Sequence, residues 1–259
     1  MHIPGIPPDI LFHVGSLPVT NTAINTWLAI IIFLVIGIFI KRNISVRPGK
    51  FQNAMEFFLE KIMDLFDQVT GDRKKTMKFL PLVGSVFFFI LVSNWLGLIP
   101  GTGSITLGGK VLLRPANTDL NLVAAMALTS LIASHIFGLI TVGFFTYTGK
   151  FIQIKQFFLS FKKGPIAVFT AFIELFVGLL EIVSELAKAL SLSFRLFGNI
   201  FAGEVLITVM ASLVGLVVPV PFMLLEVLVG LIQAGVFAIL TLVYLTFATA
   251  KPHTNEEHI

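Results

Sequence analysis

Residues 165–212 read PIAVFTAFIELFVGLLEIVSELAKALSLSFRLFGNIFAGEVLITVMAS, and the fold turns on how this stretch is read. Its helical pattern hardly breaks, yet it carries Glu174, Glu181, Glu185, Lys188, Arg195 and Glu204. One helix of that length would run roughly 70 Å at 1.5 Å per residue. The hydrocarbon layer of a bilayer is about 30 Å thick, and helix tilts rarely exceed about 40°. Either the helix breaks, or it lies far over in the membrane against something curved.

Composition establishes that lipid is the relevant solvent. Of 259 residues 56% are hydrophobic and 12% charged, with mean hydropathy +0.95. A soluble domain of this size needs far more charge to cover its surface. The absence of cysteine excludes disulfides and thiolate metal sites. A net charge of +4 would suggest nucleic acid in a soluble protein. Here the basic residues lie between apolar runs and set topology instead. Met1–Phe12 has no basic start, so the first apolar run is expected to persist in the mature protein.

Outward from the central stretch, an outer segment over 1–21 precedes a span at 22–40, closed by Lys41, Arg42, Arg47 and Lys50. Over 51–70, Phe51, Met55, Phe58, Leu59, Ile62, Phe66 and Val69 recur at helical spacing between acidic residues, the pattern of an interfacial helix. Spans follow at 79–99 and 119–145, separated by a Gly-rich loop, Pro100–Ala116, that carries Lys110 and Arg114. Its glycines follow no strand and open no helix, so a turn-rich loop fits better than a phosphate cradle. Lys150, Lys155, Lys162 and Lys163 form a basic loop, and the last helix runs over 221–250 before the tail at 251–259. With the N-terminus outside, five crossings put 14 of the 18 Lys and Arg on one side, which the positive-inside rule makes cytoplasmic.

Ionisable residues inside a membrane cost on the order of 3 kcal/mol each, so function is the default reading. On a helical wheel Glu174, Glu181, Glu185, Lys188, Arg195 and Asn199 fall within about 80° of one another. Glu181, Glu185 and Lys188 occupy neighbouring helical positions and can neutralise one another. Glu174 and Lys188 read equally as structural supports or as pathway lining, while Glu181 and Glu185 lean towards an aqueous access path. Arg195 has no acidic residue three or four positions away and cannot shed its proton, so its counter-charge must come from another helix or subunit. Glu204, nine residues on, points about 180° away and lies roughly 13 Å further along. If the Pro219–Pro221 turn folds the last two helices into an antiparallel pair, Glu204 and Glu226 lie at similar depth and would share a proton. Gln233 shares a face with Glu226 and would lie nearer Arg195. His135 reads as a helix-contact residue and His13 as incidental.

Ser191-Leu-Ser-Phe-Arg195-Leu-Phe-Gly-Asn199, Ala202-Gly-Glu204, Gln233 and Val243-Tyr-Leu together resemble subunit a of the rotary F-type ATP synthase, in its bacterial form. The likeness is best over Ala187–Phe247 and reaches more loosely to Pro115-Ala-Asn-Thr-Asp119, which resembles a short acidic motif opening a span. The resemblance implies an all-α membrane protein of five membrane helices and one interfacial helix. The last two would form a long, strongly tilted hairpin against a ring of c subunits. It implies a stator proton channel, not an enzyme by itself, in the bacterial inner membrane beside the c ring and the b-subunit stalk. Arg195 would separate two half-channels and face the ring carboxylate, with Asn199 and Gln233 as polar neighbours. Glu204 and Glu226 would line the outer half-channel, where relatives often carry histidine at the second position. Glu181 and Glu185 would line the inner one, and Asp119 would join the pathway. No cofactor, metal, nucleotide or nucleic acid is expected. A secondary transporter would show two repeated halves, and the sequence has no such repeat. A structural scaffold would leave Arg195 without a role.

Overall fold

The computed structural model describes residues 5–45, 48–99, 101–102, 105–151, 165–214 and 218–250. Arg47, the loop lysines Lys155, Lys162 and Lys163, and the tail from Lys251 lie outside the described residues. In chain order the elements are β1 (Ile10–Val14), β2 (Leu17–Thr20), α1 (Asn21–Asn43), α2 (Lys50–Thr70), α3 (Arg73–Gly97), β3 (Thr106–Leu107), β4 (Lys110–Val111), a 3-10 turn (Ala116–Thr118), α4 (Leu120–Val142), α5 (Phe144–Phe151), α6 (Pro165–Val214) and α7 (Pro219–Thr249). Side-chain caps start three of the helices where a short polar residue precedes an apolar run. Thr20 accepts from the Ala23 N–H (3.2 Å), Asp72 from Lys74 (2.9 Å) and Asp119 from Asn121 (2.9 Å).

The protein is mostly helical, and α1, α3, α4 and α7 are each long and apolar enough to cross a membrane. α2 differs: acidic residues alternate with Phe51, Phe57, Phe58 and Leu65, all exposed, while Phe66 is buried. It packs on α3 and α7, and Arg73 ties its end down through Asp67 (2.6 Å) and Asp64 (3.4 Å). The core is built where α3, α4, α6 and α7 meet, from Phe79, Val83, Phe87, Ile90, Val123, Leu192, Leu196, Phe237 and Leu242.

α6 is one continuous helix of 50 residues, about 75 Å long at 1.5 Å per residue. Its C-terminal half buries Leu192, Leu196 and Ile200, whereas Phe172, Phe176, Leu179, Leu180 and Val183 in its first half remain exposed. Such an apolar surface requires lipid or a partner, not water.

Two small hairpins stand outside the helical reading. β1 and β2 pair antiparallel around Gly15 and Ser16, with a bulge between Ile10 and Phe12. β3 and β4 pair across Gly108–Gly109, whose φ angles of 60° and 80° suit a two-residue hairpin turn open to glycine. Within the Gly-rich loop, residues 106–111 are therefore a hairpin, made so by these two glycines.

Candidate functional site

Two cavities that carry ionisable side chains lie along α6, one against its C-terminal half and one near its middle. The first, about 340 Å³, lies at the end of the molecule that carries the hairpins. Its walls include Asp9, Asn21, Asn94, Lys110, Arg114, Glu204 and Glu226. Arg114 is 4% exposed, and its Nε donates to both Glu204 oxygens, at 3.0 and 3.1 Å. Its Nη1 donates to the Pro7 carbonyl at 3.3 Å, and the guanidinium sits 5.7 Å from the Phe201 ring centre. A buried arginine stays charged, so the carboxylate and carbonyl acceptors are what make its burial tolerable.

Asparagines fix the frame around this cavity. Asn25 Nδ2 donates to the Arg114 carbonyl (2.7 Å) and Asn21 Nδ2 to that of Val111 (3.3 Å), tying the loop to α1. Asn117 Nδ2 donates to Asn94 Oδ1 (2.7 Å), and Asn94 Nδ2 donates to the Gly230 carbonyl (3.2 Å). This chain joins the 3-10 turn, α3 and α7 at buried positions, where amides left unpaired would be costly. Glu226, on α7, is 6% exposed, and its carboxyl group lies directly over Gly203 of α6. Any side chain at 203 would occupy the space that the carboxyl fills. Among the described residues Glu226 Oε1 has no hydrogen-bond partner. Glu204 and Glu226 thus share a cavity, although Pro219 and Pro221 open α7 instead of forming the expected turn, because proline is well suited to the first turn of a helix. Glu204 pairs with Arg114, and among the described residues no hydrogen bond joins it to Glu226.

The second cavity, about 270 Å³, is lined by Ser134, His135, Tyr147, Glu181, Glu185, Lys188 and Tyr244, among others. Lys188 Nζ donates to Glu185 Oε1 at 2.7 Å and lies 5.5 Å from the Tyr244 ring centre. His135 Nδ1 and the Tyr147 hydroxyl are 2.6 Å apart, so His135 ties α4 to α5. The stripe residues Glu181, Glu185 and Lys188 come together here, whereas Glu174 is half-buried and lines neither cavity.

Arg195 lies between the two, about 15 Å along α6 from Glu185 and about 13 Å from Glu204. It is exposed, as is Asn199 one turn on. Among the described residues it forms no ion pair. Ser184, Ala187, Ser191 and Ala202 continue this exposed strip, and Gly198 opens onto free space. Small side chains around an outward-facing arginine permit another helix to approach closely. Gln233 is half-buried on α7. Asp119 lines neither cavity; it caps α4 and accepts from Thr22 Oγ1 at 3.1 Å. His13 is exposed on β1.

Sequence reading missed Arg114, Asn94, Asn117 and Tyr147. A lone arginine in a loop has no periodicity to mark it. The string Pro115–Asp119, already singled out, was the nearest signal.

These features define a multi-pass helical membrane protein with ionisable groups set inside its membrane region. The family profile described as ATP synthase A chain matches residues 23–246, and the chain belongs to that family. It is 35% identical over 241 residues to "ATP synthase subunit a" of Moorella thermoacetica, covering 93% of this chain and 95% of that protein. It is 30% identical over 242 residues to "ATP synthase subunit a 2" of a Bradyrhizobium species, covering 93% and 94%. A third relative, "ATP synthase subunit a 2" of Syntrophotalea carbinolica, is 33% identical over 229 residues, covering 88% and 86%. Membership makes the chain a proton-translocating membrane component of an ATP synthase, one subunit of a complex and not its catalytic part.

Proposed function

We propose that this chain is the stator half of the proton channel, and that its two cavities are half-channels serving the carboxylates of a c-subunit ring. The observation that carries this reading is Arg195: exposed, without a carboxylate of its own, and midway between the cavities. A fixed cation there attracts an ionised ring carboxylate and bars a direct route between the half-channels. Protons from outside reach the ring through the cavity that Glu204 and Glu226 line, and after nearly a full turn leave past Glu181 and Glu185. Asn199 and Gln233 flank the arginine, and Asp119 steadies the outer wall from the start of α4.

The chain crosses the bacterial inner membrane five times, N-terminus outside and C-terminus cytoplasmic, with α6 as the strongly tilted crossing. The charge asymmetry supports this orientation. The length of α6 supports the tilt, and its exposed strip supports a curved partner such as the ring. The b-subunit stalk completes the stator. Proton flow then turns the ring and drives ATP synthesis on other subunits.

Because the chain has no cysteine, single cysteines test the rotor face directly. Cysteines replacing Ser191 or Ala202 should cross-link to a cysteine placed next to the ring carboxylate. Those replacing buried Ala189 or Leu196 should not. Cross-linking only from the buried pair would defeat the proposal.

A further inference from the structure

We propose that Arg114 is a positioning residue that holds Glu204 as a fixed anion, so that Glu226 is the cavity carboxylate that exchanges protons. This rests on reading the larger cavity as the outer half-channel. Arg114 is held at four points: Nε by Glu204, Nη1 by the Pro7 carbonyl, the guanidinium face by Phe201, and its own carbonyl by Asn25, while its buried Nη2 has no partner among the described residues. Such a cation cannot follow a side chain that swings away. Both oxygens of Glu204 share the one Nε–H, and the Glu204 side chain is only 16% exposed. Protonating Glu204 would strand a buried charge, which is strongly unfavourable.

Glu226 is placed otherwise. No cation contacts it among the described residues, and its buried Oε1 has no hydrogen-bond partner, although the residue lines the cavity. It can change charge without abandoning a buried partner. The remaining charged groups on the cavity are Asp9 and Lys110, and Lys110 Nζ is occupied by the Ile10 carbonyl at 2.7 Å. The two carboxylates are therefore chemically unequal, although sequence spacing makes them look like a pair.

A double-mutant cycle on the assembled ATP synthase in inverted vesicles tests this, with ATP-driven acidification read per assembled complex. Arg114→Gln and Glu204→Gln should each lower pumping by about tenfold or more, since each leaves one buried charge uncompensated. Combining them removes both charges and should recover pumping at least about fivefold over either single variant. If the double variant pumps no better than Glu204→Gln, the proposal is overturned: Glu204 then carries protons itself, or Arg114 only anchors the loop. If Arg114→Gln does not assemble, the amount of assembled complex becomes the readout. Its recovery in the double variant supports the proposal, and no recovery overturns it. Glu226→Gln should abolish pumping; normal pumping by that variant would instead overturn the half-channel reading, whatever the Arg114 variants do.

Discussion

Replacing Gly203 by alanine tests the fit of α6 against α7 at the point where proton transfer is proposed. A methyl group at 203 would fall well inside van der Waals contact with the Glu226 carboxyl carbon and both of its oxygens. Non-bonded heavy atoms prefer separations of about 3.5–4.0 Å, so the carboxyl must retreat by about 1 Å or more. Because it is the end of a flexible side chain, the helices need not part, and the expected cost in stability lies at or below the usual overpacking penalty of about 1–3 kcal/mol. Misplacing a reacting group by 1 Å can cost about 100-fold in rate. We therefore expect Gly203→Ala to assemble but to pump about 10- to 100-fold more slowly in inverted vesicles. Adding Glu226→Asp, which draws the carboxyl back by one methylene, should recover part of that loss. Pumping by Gly203→Ala within about twofold of the parent protein would refute the placement of Glu226 over Gly203.

Gly138→Ala should act on stability instead. Its methyl group would meet the Tyr147 ring and the Ala248 carbonyl oxygen at 2.8 Å, and backbone cannot yield as a side-chain tip can. A loss of about 1–3 kcal/mol should appear as a lower melting temperature of the purified complex. Asn94→Leu keeps the branching and the number of side-chain heavy atoms but strips Asn117 and the Gly230 carbonyl of their partner, and should cost about 1–3 kcal/mol in the same measurement. An unchanged melting temperature would mean that this amide chain does not hold α3 to α7.

Much of the fold is legible in the sequence because lipid imposes simple rules. Apolar runs near 20 residues mark α1, α3, α4 and α7, and alternating phenylalanines and acids mark α2 as different. The continuous helix α6 is readable because no proline or glycine pair interrupts residues 166–212. The hairpins escaped because β1–β2 is short and its apolar residues read as an irregular outer segment. Glu181, Glu185 and Lys188 were legible as one group because their spacing on a single helix fixes their neighbours. The relation of Glu204 to Glu226 was only half legible. Helix pairing brings both to one cavity, but the decisive contact, Arg114 with Glu204, spans 90 positions and depends on how a loop folds back. Sequence spacing along one helix cannot reveal a cation that arrives from another element.

The most direct measurement compares ATP-driven acidification of inverted vesicles carrying the parent chain or Arg195→Ala, with assembly checked by copurification of the c ring. An outward-facing arginine that separates two half-channels predicts an assembled variant in which acidification vanishes while the detached catalytic subunits still hydrolyse ATP. Normal acidification by that variant would contradict the stator reading.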